Sequence, residues 1–131
     1  MNIHTVILAA GEGSRMLSNK AKSLQPLGGH SMLERIYSTV YSITNETSFV
    51  VGYEKDSVIE EIKKFEGTVH IAEQKKAIGT ADAVKCVLPK IANNHMVLVL
   101  YGDVPLITQE TLKEIISLSD DCLTILSTIM E

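Results

Sequence analysis

The sequence predicts an α/β fold, with a mainly parallel sheet held between helices as a three-layer α/β/α sandwich. Three observations predict it. Short apolar runs alternate with helical patterns along the whole chain, which is the signature of strand–helix–strand units and a parallel sheet. Two of those runs, Ile3 to Ala9 and Met96 to Tyr101, are apolar without alternation, as strands buried on both faces are. The first run stops abruptly at Gly11-Glu12-Gly13 with the cations Arg15 and Lys22 close behind, a strand turning into a loop that can surround phosphates.

Taken in order, Ile3 to Ala9 is a β-branched strand, and residues 10 to 29 form a long Gly/Ser/Lys-containing loop. So long a loop inside a domain points to function. From Ser31 to about Ile43 a helix is expected, with Met32, Leu33, Ile36, Val40 and Ile43 on one stripe. Ser48 to Val51 is a short strand ended by Gly52. Asp56 to about Phe65 is a helix with Val58, Ile59, Ile62 and Phe65 inward and Glu60, Glu61, Lys63 and Lys64 in water. Gly67 breaks it, and Thr68 to Ala72 is the next strand. Thr80 is expected to cap a helix that Pro89 stops near Leu88. Met96 to Tyr101 is the most hydrophobic strand. Thr108 caps a helix to about Leu118, and Leu123 to Ile129 is read as a last strand.

A chain of 131 residues suits one domain able to bury about two-thirds of its unfolded surface. The net charge of −4 and pI near 5.5 argue against a nucleic-acid or anionic-membrane surface, which would want a basic face. Any phosphate site must be local. Cys86 and Cys122 stand far apart, and His4, His30, His70 and His95 follow no zinc spacing. Buried, reduced thiols in a cytoplasmic protein are expected. The first apolar run is too short for a signal peptide, and no run approaches the ~20 residues of a transmembrane helix.

Ligands of open parallel sheets bind beyond the carboxyl ends of the strands. Three suspect segments fall there: residues 9–22, Glu73 to Thr80, and Gly102-Asp103. Gly11 and Gly13 let the backbone approach a ligand, successive N–H groups form an anion cradle, and Arg15 and Lys22 add full charges. The loop lacks the third glycine of a dinucleotide fingerprint and the Gly-Lys-Ser/Thr of a P-loop. In Tyr101-Gly102-Asp103-Val104-Pro105-Leu106 a carboxylate follows the most apolar strand. Asp103 is a hard oxygen ligand suited to Mg²⁺ shared with substrate phosphates; the competing reading is a turn residue. Gln74 pairs donor and acceptor groups that suit a pyrimidine edge, whereas Thr80 is as well explained by helix capping, with Asp82 favourable in the first turn.

Together these segments resemble the uridyltransferase half of the bacterial bifunctional N-acetylglucosamine-1-phosphate uridyltransferase/glucosamine-1-phosphate acetyltransferase. That family opens Leu-Ala-Ala-Gly-x-Gly-Thr-Arg-Met, matched by Leu8 to Met16 with Ser14 for Thr. Its Pro-Lys-Val-Leu is Ala21-Lys22-Ser23-Leu24 here, and its Gly-x-Pro-Met is Gly29-His30-Ser31-Met32. Its Gln followed by Leu-Gly-Thr is similar to Gln74 and Ile78-Gly79-Thr80, and its Tyr-Gly-Asp-Val-Pro-Leu is matched in full by Tyr101 to Leu106.

The resemblance implies a Rossmann-like sheet of the nucleotide-diphospho-sugar transferase type. It implies transfer of uridylyl from UTP to N-acetylglucosamine 1-phosphate with Mg²⁺. Leu8, Ala9, Ala10 and Gly11 would hold uridine and phosphate through backbone groups, Arg15 would meet the triphosphate, and Lys22 would bridge phosphates at the reacting centre. Gln74 would read uracil, with Gly79, Thr80, Tyr101 and Gly102 lining the pocket and Asp103 ligating the metal. The family's domain runs on past the length seen here, so a single, partial domain without the acetyltransferase half is expected, with self-association through uncovered sheet. The alternatives are a nucleotide-binding module without turnover, and a cytidylyl- or molybdopterin-cofactor nucleotidyltransferase.

Overall fold

The computed structural model describes residues 1–13, 19–119 and 122–127. Its central sheet holds β1 (Asn2–Ala9), β4 (Glu46–Val51), β5 (Val69–Glu73) and β6 (His95–Tyr101), all parallel, in the order β5-β4-β1-β6. A small antiparallel hairpin, β2 (Pro26–Leu27) with β3 (His30–Ser31), lies within the expected long loop, after a 3-10 turn over Lys22–Leu24. The helices are α1 (Met32–Val40), α2 (Lys55–Ile62), α3 (Thr80–Lys85) and α4 (Gln109–Ser117). The chain steps from β1 outward to β4 and β5, then returns to lay β6 on the other side of β1. Strand order therefore reverses between β1 and β6, and the crevice of the fold opens there.

Strand alternation sorts the core into two layers. On one face Ile7, Phe49, Val51, Leu98 and Leu100 pack against Leu33, Ile36 and Val40 of α1, Val58 and Ile62 of α2 and Leu112 of α4. On the other, Val6 and Val50 meet Ala83 and Val87. The apolar stripe of α1 recurs at helical spacing, and its start is chemically defined. The Glu34 N–H donates to Ser31 Oγ at 3.1 Å, and the same hydroxyl donates to Glu61 of α2 at 2.6 Å. One serine thus caps a helix and ties it to its neighbour. Thr108 caps α4 in the same way, accepting from the Thr111 N–H. Arg35 of α1 fastens the hairpin, donating to the carbonyls of Leu27 (2.5 Å) and Gly28 (2.9 Å).

Several sequence expectations are corrected. Among the described residues β6 is buried on one face only: Leu98 and Leu100 are buried, but Val97, Val99 and Tyr101 on the opposite face are exposed. Apolarity alone does not show that both faces are covered, and the short α3 covers only the β1–β4–β5 part of that face. Thr80 does not cap α3; the capping position is Gly79, at φ 123°, with no side-chain cap bond. The helix stops at Lys85, with Leu88–Lys90 a 3-10 turn around Pro89. Residues 122–127 form no strand, and Leu123, Ile125 and Leu126 lie exposed; Ile129 falls outside the described residues. Both cysteines are free thiols, but Cys122 is exposed and Cys86 only half-buried. Among the described residues no helix is long and apolar enough to cross a membrane.

Candidate active site

The end of β1 frays into a loop because its sequence runs out of apolar side chains at Ala9-Ala10-Gly11. At the neighbouring strand end, Leu8 stands opposite Tyr101, and the Gly102 N–H donates to the Leu8 carbonyl at 2.8 Å. This last rung holds the two strand ends together and leaves a cleft of about 310 Å³ above them. Leu8, Ala9, Ala10 and Gly11 form one wall, and Tyr101, Gly102 and Asp103 another. Gln74, Gly79 and Thr80 close the third side, and Lys22 reaches in from the 3-10 turn. The three loops singled out in the sequence thus meet in one place.

Lys22 and Asp103 are in direct contact, Nζ to Oδ2 at 2.5 Å, across 81 positions of sequence. Both are partly exposed. Gly13 lies outside the cleft wall but against Lys22: at φ 63°, a Cβ there would come 2.7 Å from the Lys22 Cβ. Its place is to let the loop press on the lysine stem. Arg15 falls outside the described residues. Thr80 Oγ1 lies 3.4 Å from the Tyr101 hydroxyl at the mouth of the cleft.

Gln74 is buried and its carboxamide is already engaged. Nε2 donates to the Gly79 carbonyl at 3.1 Å and to Asp82 Oδ2 at 2.9 Å, while its backbone N–H donates to the Val51 carbonyl at 2.8 Å. Ser23, Ala77 and Ala83 also line the cleft, and sequence reasoning did not single them out as site residues. Ser23 follows Lys22 directly, which is the signal that could have found it. Its Oγ is buried without a hydrogen-bond partner among the described residues. Ala83 shows no chemistry in its sequence; smallness is its contribution.

Among the described residues no cluster of three His, Cys, Asp or Glu side chains could hold a metal alone. A single carboxylate, Asp103, in the cleft wall fits a cation that takes most of its oxygen ligands from substrate and water, as Mg²⁺ does.

Comparison with known proteins decides the family. The sequence profile of the MobA-like NTP transferase domain matches residues 5–128, a span containing every segment of the cleft wall. The chain belongs to that family. The bifunctional protein GlmU of Halorhodospira halophila (strain DSM 244 / SL1) is 44% identical over 116 residues, covering 88% of this chain and 24% of that protein. GlmU of Ruthia magnifica subsp. Calyptogena magnifica is 40% identical over 131 residues, covering 99% and 28%. The chain thus spans about a quarter of the length of these curated relatives, and it matches their N-terminal part. Among solved structures, a nucleotidyl transferase from Methanothermobacter thermautotroptrophicus superposes with a TM-score of 0.76 at 26% identity, over 91% of this chain and 58% of that one. The fold is that of an NTP transferase domain, and the cleft sits where such a sheet places its ligand.

Proposed function

We propose that this NTP transferase domain transfers uridylyl from UTP to N-acetylglucosamine 1-phosphate, releasing pyrophosphate, in the cytoplasm. The observation that carries the proposal is the Lys22–Asp103 pair, set against the backbone of residues 8–11 at the strand-order reversal. The similarity to GlmU proteins over most of the chain supports this choice of acceptor and nucleotide.

In this reading an oxygen of the sugar phosphate attacks the α-phosphorus of UTP. A new P–O bond forms as the α–β bridging bond breaks, and pyrophosphate departs with the electron pair. The acceptor is already ionised near neutral pH, so no side chain needs to remove a proton. What the protein supplies is placement and countercharge. Backbone groups of Leu8 to Gly11 hold the nucleotide, while Gln74, Gly79, Thr80, Tyr101 and Gly102 enclose the base and sugar. Gly13 supports the Lys22 stem, and by the family resemblance Arg15 would meet the triphosphate. Lys22 leaves Asp103 for the phosphates and neutralises charge on the transferring group. Asp103, once released, would hold Mg²⁺ together with phosphate oxygens and water. That ion, when bound, supplies further neutralisation of charge.

The test is Mg²⁺-dependent pyrophosphate release from UTP and N-acetylglucosamine 1-phosphate, alongside UTP calorimetry. Turnover supports the proposal. UTP heat without turnover points to a binding module, and the absence of both defeats the reading.

A further inference from the structure

We propose that Asp82 sets the base preference of the site by locking the amide of Gln74 in one orientation. This rests on the uridyltransferase reading and adds to it a positioning residue. The two oxygens that face Gln74 Nε2, the Gly79 carbonyl at 3.1 Å and Asp82 Oδ2 at 2.9 Å, are both pure acceptors. An amide oxygen in that position would meet two lone pairs, so the atom there is the nitrogen and both its hydrogens are committed. Gln74 is 8% exposed and its backbone is tied to Val51, so the side chain has no room to trade partners with water. What remains of the carboxamide for a ligand in the cleft that Gln74 lines is an acceptor alone, its oxygen.

Set against N3 of the base, a lone acceptor complements the N3–H of uracil and opposes the bare N3 lone pair of cytosine. Discrimination of this kind arises where one competitor leaves a buried polar group unpaired. Asp82 itself is absent from the cleft wall; it acts through Gln74. The carboxylate matters because it cannot donate. An asparagine of the same shape could turn its own amide and hand Gln74 a donor, leaving the Gly79 carbonyl alone to favour the nitrogen, so that the glutamine amide reverses more readily.

The decisive variant is Asp82→Asn, near-isosteric and therefore expected to fold. UTP and CTP affinities are measured by calorimetry for the wild type, D82N, Gln74→Ala and the double variant. The ratio of CTP to UTP dissociation constants is expected to fall about tenfold in D82N, the scale of one buried hydrogen bond. The double variant should show no further loss beyond Q74A, since both changes remove the same interaction. An unchanged ratio in D82N, or equal weakening of both nucleotides, overturns the proposal and leaves Asp82 a structural residue. A second readout needs no nucleotide: the Gln74 side-chain amide protons, followed by NMR, should exchange slowly in the wild type and faster in D82N. Unaltered exchange overturns the lock. Faster exchange in D82N from a chain that binds no nucleotide would instead sink the uridyltransferase reading and leave the lock standing.

Discussion

Two glycines of the cleft separate what the fold needs from what a ligand needs. A Cβ at position 102 would sit 2.8 Å from the Leu8 carbonyl oxygen, 3.3 Å from the Ser23 Cβ and 3.4 Å from the Ala9 Cα. The nearest of these is backbone and already receives the Gly102 N–H, so relief must stretch the rung that joins β1 to β6. Overpacking of this kind costs about 1–3 kcal/mol, offset by about 0.4–1 kcal/mol from the stiffer unfolded chain. Gly102→Ala should therefore lose roughly 0.5–2 kcal/mol, a fall in Tm of roughly 2–10 °C for a domain of this size. At Gly11 a Cβ would meet nothing within 4 Å, and the backbone there is not left-handed. Gly11→Ala is expected to keep or gain about 0.4–1 kcal/mol while weakening UTP binding about tenfold or more, because the added methyl stands where the nucleotide approaches. Thermal melts and UTP calorimetry on both variants measure this directly. If G11A melts as low as G102A, or binds UTP like the wild type, the assignment of that glycine to ligand approach is refuted.

Lys22→Met should leave the melting temperature nearly unchanged, since a partly exposed ion pair contributes at most about 1 kcal/mol. The same change should slow pyrophosphate release by about 10²–10³; a milder effect would remove Lys22 from the reacting centre. Ser31→Ala removes the α1 cap and the bond to Glu61, for an expected loss of about 0.5–2 kcal/mol by urea unfolding.

Stability should also fall on acidification. Burial holds His4 below its ordinary value of 6.5, helped by the neighbouring His70 and His95 against the opposing pull of Glu46. Its neutral form is thus favoured by folding, and that stability is complete above pH 6.5 and lost as pH falls below it. Glu46, lowered by its hydrogen bond from His70, loses its contribution only below about pH 4.5. Unfolding midpoints from pH 8 to pH 5 should decline, and His4→Gln should flatten the upper part of that decline.

The sequence was sufficient for the order of the four parallel strands and four helices along the chain, but not for the β2–β3 hairpin or for the fate of residues 122–127. Ser31 and Thr108 were legible as caps because capping is a local hydrogen bond, and the α1 stripe because helical period is written in consecutive residues. Gly11, Lys22 and Asp103 stood out because glycine and charge at the end of an apolar run have few uses in a fold. The order of strands was not legible. His95–Tyr101 is apolar enough to be buried on both faces, yet among the described residues one face is exposed, because its covering depends on where α3 lands rather than on its own residues. Thr80 has the chemistry of a cap, but the left-handed turn at Gly79 takes that position and turns Thr80 toward Tyr101. By itself, then, the sequence determined which groups the protein could bring to a phosphate, since backbone freedom, charge and hydroxyl chemistry are properties of single residues. Only the tertiary structure decided that Lys22 meets Asp103 and that Asp82 holds Gln74, because distances between strand ends follow from sheet order and packing, which no local stretch of chain encodes.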